Sequence, residues 1–285
     1  MSITALFCHT SARADEIGIT AEETVFNPLF NKGSRVDLTI KHSSGKRAGH
    51  NKINGNILSE LLGSCYAEQQ GSATGSKVTN LAVAEPIDGK YILFVEPGAS
   101  GVYLLQADIM VSSNNVSGKI SGLAAGGDVQ EIEIEYWSAG DKASIIRKKV
   151  DISLLKRELE VSVKKGRLDK SLGKELVKEL IYLERALAGN TNGEAINITE
   201  KFIAKLTARQ ESFSLNSQKD IESWFADVIT GNTENVQEIF DEKNDLFLNI
   251  TNIKNNKKSD WYEARSISIL VEDANILLEN IKNKN

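Results

Sequence analysis

Apolar and polar residues alternate with a period of two through much of the first half of the chain. Such alternation is typical of β-strands that bury one face and expose the other. Turn-forming pairs such as Ser44-Gly45 and Asp88-Gly89 separate the alternating runs. Several short strands with this spacing predict an all-β antiparallel sandwich. The runs span residues 35–41, 90–95, 102–111, 116–120 and 129–136.

One stretch, residues 85–111, contains two of these runs, which the segment from Pro97 to Gly101 separates. The pattern predicts a β-hairpin. Tyr91 and Tyr103 fall in the apolar phase of the two runs, so we expect both rings to lie in the core. We expect the glycines of this stretch to serve turn geometry rather than phosphate binding.

The run at residues 129–136 places Glu131, Glu133 and Glu135 on one face. Three carboxylates in a stripe are compatible with a cation site. The interpretation that we favour is the solvated face of an antiparallel strand, because such strands often bury only one side.

The pattern changes near residue 150. All 3 prolines and 16 of the 21 glycines precede this point, and long helices exclude both residue types. Beyond it, apolar residues recur every three or four positions, as in amphipathic helices. Asp151 suits a helix start, and Gly166 and Gly189 suit helix ends. Helical periodicity covers residues 152–166, 172–187, 195–206, 221–228, 236–247 and 260–281.

The two patterns together predict two domains: an N-terminal all-β antiparallel sandwich over residues 26–148 and a C-terminal all-α helical bundle over residues 151–285. Residues 1–25 are expected to be a flexible leader or a truncated signal peptide. Ala12 and Ala14 match the small-x-small pattern of a cleavage site, whereas a basic region and a full-length apolar core are missing.

Composition and charge limit the partners. Hydrophobic residues make up 41% of the 285 residues and charged residues 26%, as in ordinary soluble domains. The net charge of −5 gives no electrostatic basis for nucleic-acid binding. No apolar run approaches the length of about 18 residues that a transmembrane helix needs. The only two cysteines are Cys8 and Cys65, and the sequence does not decide whether they form a disulfide.

Residues with catalytic or metal-binding chemistry are sparse. His42 and His50 could approach each other across the turn that joins their strands. With Asp37 or Glu60 they would form a metal site, but the spacing does not support one. The nucleophile elbow G-x-S-x-G is absent, and "GSATGSK" (71–77) lacks the spacing of a phosphate loop. We therefore expect no catalytic residue, no metal site and no cofactor.

The segment "SGKRAGHNK", residues 44–52, is locally basic. Lys46, Arg47, His50 and Lys52 are candidate residues for binding an anionic glycan or an acidic protein. The alternative interpretation of this segment is an ordinary solvated loop.

Two stretches of the first half resemble the accessory β-sandwich of secreted bacterial proteins. In "VDLTIKHSSGKRAGHNKINGNILSELLGSCYAE", residues 36–68, a strand, a glycine-containing turn and a segment ending near Tyr66 follow one another as in that family. In "PIDGKY", residues 86–91, and onward to Tyr103, the chain is similar to its hairpin. The resemblance covers residues 33–140, although the Asp-Pro of the family's first turn is absent. It implies a non-catalytic module of the type that follows von Willebrand A or hydrolase domains.

The second half resembles the small helical FIMAH-type domain of secreted bacterial enzymes. The resemblance rests on "LLKRELEVSVKKGRLDKSLGKELVKELIYLERALAGNTNGEAINITEKFIAKLTA", residues 154–208, and on "SISILVEDANILLENI", residues 266–281. Residues 211–258 have no counterpart in that pattern, so they are expected to be an insertion.

The sequence thus indicates a non-catalytic binding or spacing module of an extracellular or cell-envelope bacterial protein, with a protein or polysaccharide partner. The alternatives are a metal-dependent hydrolase with a site near His42 and His50, and an intracellular interaction protein.

Overall fold

The computed structural model describes residues 16–24, 36–51, 54–70, 77–98, 101–111, 114–124, 128–139, 142–212 and 256–284. The chain divides into two compact units, Met1–Lys149 and Val150–Asn285. The strands described in the first unit are β1 (Glu16–Thr24), β2 (Val36–His42), β3 (Arg47–His50), β4 (Ile57–Ser59), β5 (Ser64–Gln70), β6 (Lys77–Ala84), β7 (Gly89–Pro97), β8 (Gly101–Val111), β9 (Asn114–Ala124), β10 (Gln130–Tyr136) and β11 (Ile145–Lys148).

These strands form two antiparallel sheets in a sandwich-like arrangement. One sheet has five strands in the order β5-β6-β1-β8-β9, and the other has six in the order β11-β10-β7-β2-β3-β4. The apolar phases of both sheets contribute to one buried core, as period-two alternation requires. Tyr91 and Tyr103 are buried, so their predicted core location is confirmed, and Tyr136 of β10 is buried with them.

The predicted hairpin at residues 85–111 is wrong. β7 pairs with β2 and β10 in the six-stranded sheet, whereas β8 pairs with β1 and β9 in the five-stranded sheet. The chain therefore crosses from one sheet to the other between them. Both strands bury one face against the same core, so their alternation is the same as that of a true hairpin.

Part of the predicted leader is a central strand. β1 lies between β6 and β8, and its residues Ile17 and Ile19 are buried. The expectation of a flexible segment is wrong for residues 16–24, and residues 1–15 lie outside the described part of the chain. The strand escaped prediction because its apolar phase is short: Ile17 and Ile19 are followed in the same phase by Ala21 and then by Glu23.

The second unit begins with three helices whose ends follow the predicted signals. They are α1 (Ile152–Lys164), α2 (Lys170–Ala188) and α3 (Asn192–Glu211). The Asp151 carboxylate accepts the N–H of Leu154 at 2.8 Å and caps α1. Gly166, just beyond α1, has a φ of 66°, a conformation that glycine adopts without strain.

The last helix, α4, spans Asn256–Lys282. Its buried residues include Ala264, Ile267 and Ala274, in agreement with the helical periodicity predicted for residues 260–281. The helices predicted at 221–228 and 236–247, and nearly all of the predicted insertion, lie outside the described residues. None of the helices in the described ranges is long and apolar enough to cross a membrane. The described chain as a whole is therefore a mixed structure of two antiparallel sheets and four helices.

A charged junction joins three of these helical elements. Arg209 of α3 forms two hydrogen bonds with the Glu263 carboxylate of α4, at 2.9 and 3.0 Å. The same carboxylate accepts the backbone N–H of Asp169, which caps α2. The N–H of Leu172 holds the pKa of the Asp169 carboxyl below its usual value, because it donates to the ionised form.

Candidate functional site

The β2–β3 turn and its flanking strands hold the predicted binding residues. Lys46 is exposed in the turn, and Arg47, the first residue of β3, is also exposed. His50, at the other end of β3, is buried. Positions three apart on a strand point to opposite faces, so Arg47 and His50 cannot share one surface. Lys52 lies outside the described residues.

Arg47 is partly neutralised by an acidic neighbour. Its guanidinium lies 3.4 Å from a carboxylate oxygen of Glu60, and its backbone N–H donates to the same carboxylate at 3.0 Å. Both side chains are 45% exposed, so solvent screens the pair. Lys46 and Arg47 are the two cations of the predicted cluster that the described structure presents to solvent.

His50 faces a carboxylate inside the fold. Its Nδ1 lies 3.1 Å from Oδ1 of Asp37, an ion-pair distance that does not meet hydrogen-bond geometry. Both side chains are less than a tenth exposed. The His50 ring also stacks on Tyr66 of β5, with 5.9 Å between centroids. The contact therefore links β2 and β3 of one sheet to β5 of the other.

A glycine fixes the backbone beside His50. Gly49 has a φ of 113°, which L-residues with a side chain rarely adopt. A Cβ atom at this position would lie 2.2 Å from the carbonyl oxygen of Leu38. The close approach of β3 to β2 is therefore possible only without a side chain. Thr39 completes the arrangement by donating its hydroxyl hydrogen to the His50 carbonyl at 2.7 Å.

His42 occupies a second, separate environment. It is buried at the end of β2, and its ring lies 4.7 Å from that of Tyr91. His50 contacts Asp37, which is five residues from His42 along the same strand, a span of roughly 16 Å. The structure thus places the two histidines at opposite ends of β2. Within the described residues, no group of three or more His, Cys, Asp or Glu side chains is arranged to hold a metal ion.

Tyr91 of β7 forms hydrogen bonds with the backbone of the connection between β6 and β7. Its hydroxyl donates to the carbonyl of Ile87 and accepts the N–H of the same residue, both at 2.7 Å. A tyrosine that bonds to the backbone a few residues upstream is the tyrosine corner of many sandwiches. Burial raises the pKa of Tyr91 to about 12; the Ile87 N–H opposes this shift, and the charge of Asp88 adds to it.

The raised pKa of Tyr91 predicts a loss of stability at alkaline pH. The unfolded chain ionises this phenol near pH 10, whereas the folded chain retains the proton to about pH 12. The free energy of unfolding therefore falls as the pH rises through this interval, because the unfolded state loses the proton first. Chemical denaturation at several pH values measures the slope. The variant Tyr91→Phe should show a shallower decline, and an identical decline in both proteins would contradict the assignment.

The three predicted surface glutamates lie on β10 and pair with neighbouring cations. Lys90 lies 3.2 Å from the Glu135 carboxylate, and Lys149 lies 2.6 Å from that of Glu131. Arg147 contacts Glu133 at 3.6 Å. The arrangement is a ladder of cross-strand ion pairs on a half-exposed face, in agreement with the favoured interpretation of this strand.

Cys65 lies on β5, next to Tyr66, and it is disulfide-bonded. Cys8, the other cysteine of the chain, lies outside the described residues. The sequence does not predict this disulfide, because spacing alone does not reveal whether two cysteines approach each other.

Comparison with protein-family models, with curated proteins and with solved structures finds no match to this chain. The resemblances to an accessory sandwich and to a FIMAH-type domain therefore remain expectations from the sequence.

Proposed function

We propose that this chain is a non-catalytic binding or spacing module of an extracellular or cell-envelope protein. In this proposal the first unit is an accessory β-sandwich, and the second is a helical bundle of the FIMAH type. The partner is an anionic polysaccharide, which the exposed cations of the β2–β3 turn contact. An acidic protein is the alternative partner, because it carries the same negative charge as the polysaccharide.

The disulfide at Cys65 is the observation that supports an extracellular location. Disulfides persist in oxidising compartments and are rare in the cytosol, where thiols are kept reduced. A bond at Cys65 also ties a strand of the five-stranded sheet to another part of the chain and stabilises the fold by restricting the unfolded chain.

The positions of the histidines support a module without catalysis. A catalytic or metal-binding histidine has to reach substrate or metal with at least one ring nitrogen. His42 is instead enclosed by the β2–β3 turn, Tyr91 and the β6–β7 connection. His50 lies against Asp37 and Tyr66 between strands. Stoichiometric zinc in the purified protein, lost in His50→Ala, would contradict the proposal and favour a metal-dependent hydrolase.

Binding to heparin, used as a probe of anionic polysaccharides, tests the proposed surface. We expect the full chain to bind at low ionic strength, to release at high salt, and to lose binding in the double variant Lys46→Ala/Arg47→Ala. The control variant Lys90→Ala removes an exposed cation that already pairs with Glu135 and should bind as the unchanged protein does. Equal binding by both variants would exclude the turn as the binding surface. Binding to polyglutamate but not to heparin would favour the acidic-protein partner.

A further inference from the structure

His42 lies where two connections of the sandwich meet. β2 continues from it into the turn to β3, and the connection from β6 to β7 passes its ring. A Cβ atom on Gly89, the first residue of β7 after that connection, would lie only 2.8 Å from Nε2 of His42. The ring thus fills the space between the two segments, and both of its nitrogens face protein atoms.

The Nδ1 side of the ring faces hydrogen-bond donors. The backbone N–H of Ser44 donates to Nδ1 at 3.1 Å, and the Ser44 hydroxyl lies 2.8 Å from the same atom. A backbone N–H can only donate. Nδ1 therefore has to carry a lone pair for this bond to form.

The Nε2 side faces an acceptor. The backbone carbonyl oxygen of Asp88 lies 3.3 Å from Nε2, and a carbonyl can only accept. Ser43 Oγ lies at the same distance, and its hydroxyl can turn to suit the ring. The two backbone groups together select the neutral imidazole with its hydrogen on Nε2.

We propose that His42 is an acid-sensitive latch between the β2–β3 turn and the β6–β7 connection. A proton that binds Nδ1 points at the Ser44 N–H, so this backbone hydrogen bond breaks. The Nε2–H bond to the Asp88 carbonyl remains. The Ser44 hydroxyl can rotate and accept the new hydrogen, so the turn rearranges while the strands stay paired.

The charged groups around His42 come from the segments packed against it. From the β6–β7 connection comes Asp88, whose carboxylate accepts the N–H of Ser138 at 2.7 Å. The hydroxyl of Tyr91 stays neutral throughout the acidic and neutral range, because its pKa is about 12.

Lys46 and Lys90 contact the backbone of His42 and Ser43 through their carbonyl groups. The Lys46 carbonyl accepts the N–H of His42 at 2.9 Å, and the Lys90 carbonyl accepts the N–H of Ser43 at 2.8 Å. The Lys90 ammonium lies on the outer ion-pair ladder, beside Glu135. Rearrangement of the turn would move Lys46, which is exposed within it.

Nuclear magnetic resonance of the full, unmodified chain tests the latch. Long-range proton–nitrogen spectra at about pH 8 should show the Nε2–H form of His42, and acidification to about pH 5 should protonate Nδ1. Amide exchange at Ser44, corrected for the intrinsic pH dependence, should rise about tenfold with the same midpoint. Amide protection in β7 should stay unchanged.

Two outcomes overturn the latch: an Nδ1–H form at neutral pH, or Ser44 protection that does not change while His42 titrates. The variant Asp88→Asn keeps the carbonyl and removes the nearby charge, so protonation should require lower pH while the coupling to Ser44 persists. The variant Ser44→Ala keeps the backbone N–H but removes the hydroxyl that would accept the new hydrogen. Ser44→Ala should also shift the midpoint of His42 protonation to lower pH. A shift of this midpoint to higher pH in either variant would contradict the mechanism.

Discussion

Replacing Gly49 by alanine lowers the free energy of unfolding by about 4 kcal/mol, which combines an overpacked contact with a strained backbone. The new Cβ would lie 2.2 Å from the Leu38 carbonyl oxygen and 2.9 Å from the Cα of Thr39. These are backbone atoms, so no side-chain rotation relieves the overlap. The β2–β3 pairing has to move, and His50 loses its position beside Asp37. Denaturant unfolding, followed by fluorescence or circular dichroism, measures the change.

Gly45 provides the matched control for this prediction. It lies in the turn that precedes β3 and also has a positive φ, 93°, but a Cβ there would have no atom within 4 Å. Gly45→Ala should therefore cost only the backbone term, about 1–2 kcal/mol. If the two variants lose equal stability, the close approach of β3 to β2 at Gly49 is refuted.

Replacing Asp37 by alanine lowers the free energy of unfolding by about 3 kcal/mol, because it removes the carboxylate that faces the buried polar ring of His50 and leaves a cavity in its place. The carboxylate faces His50 at 3.1 Å, and both groups are almost fully buried. Urea unfolding at neutral pH measures the effect. In the double variant Asp37→Ala/His50→Ala, the loss should be smaller than the sum of the two single losses, because the two residues interact.

The exposed pair of Arg47 and Glu60 serves as the control for Asp37. It belongs to the same hairpin region, but both partners are 45% exposed, so Arg47→Ala should change stability by less than about 1 kcal/mol. A small effect of Asp37→Ala, comparable to that of Arg47→Ala, would show that the His50–Asp37 contact does not hold the sandwich together. Additive losses in the double variant would lead to the same conclusion.

Much of the fold follows from periodicity, because periodicity reports which face of an element is buried. It located α1, α2, α3 and the strands with full apolar phases. It could not report the partner of a strand, so β7 and β8 had the pattern of a hairpin although they belong to different sheets. Short strands such as β3 and β4, with glycine or few apolar residues, carried too little pattern to be predicted.

The contacts of the candidate site could not be predicted from the sequence for the same reason, because periodicity does not report which residues meet. The basic cluster is contiguous in sequence, but the strand turns Arg47 outward and His50 inward. The partners of His50 and His42 come from residues that register and sheet packing bring close, such as Tyr66 and Asp88. The tyrosine corner at Tyr91 could have been suspected, because a buried tyrosine follows a turn-forming proline and glycine.

The state of the two cysteines in protein from its native compartment tests the central claim most directly. Fractionated cells are treated at lysis with an alkylating reagent, without a reductant, and the intact chain is weighed by mass spectrometry. The account predicts that the chain occurs outside the cytosol and that Cys65 does not react with the reagent. A cytosolic chain in which both cysteines are alkylated would contradict the account.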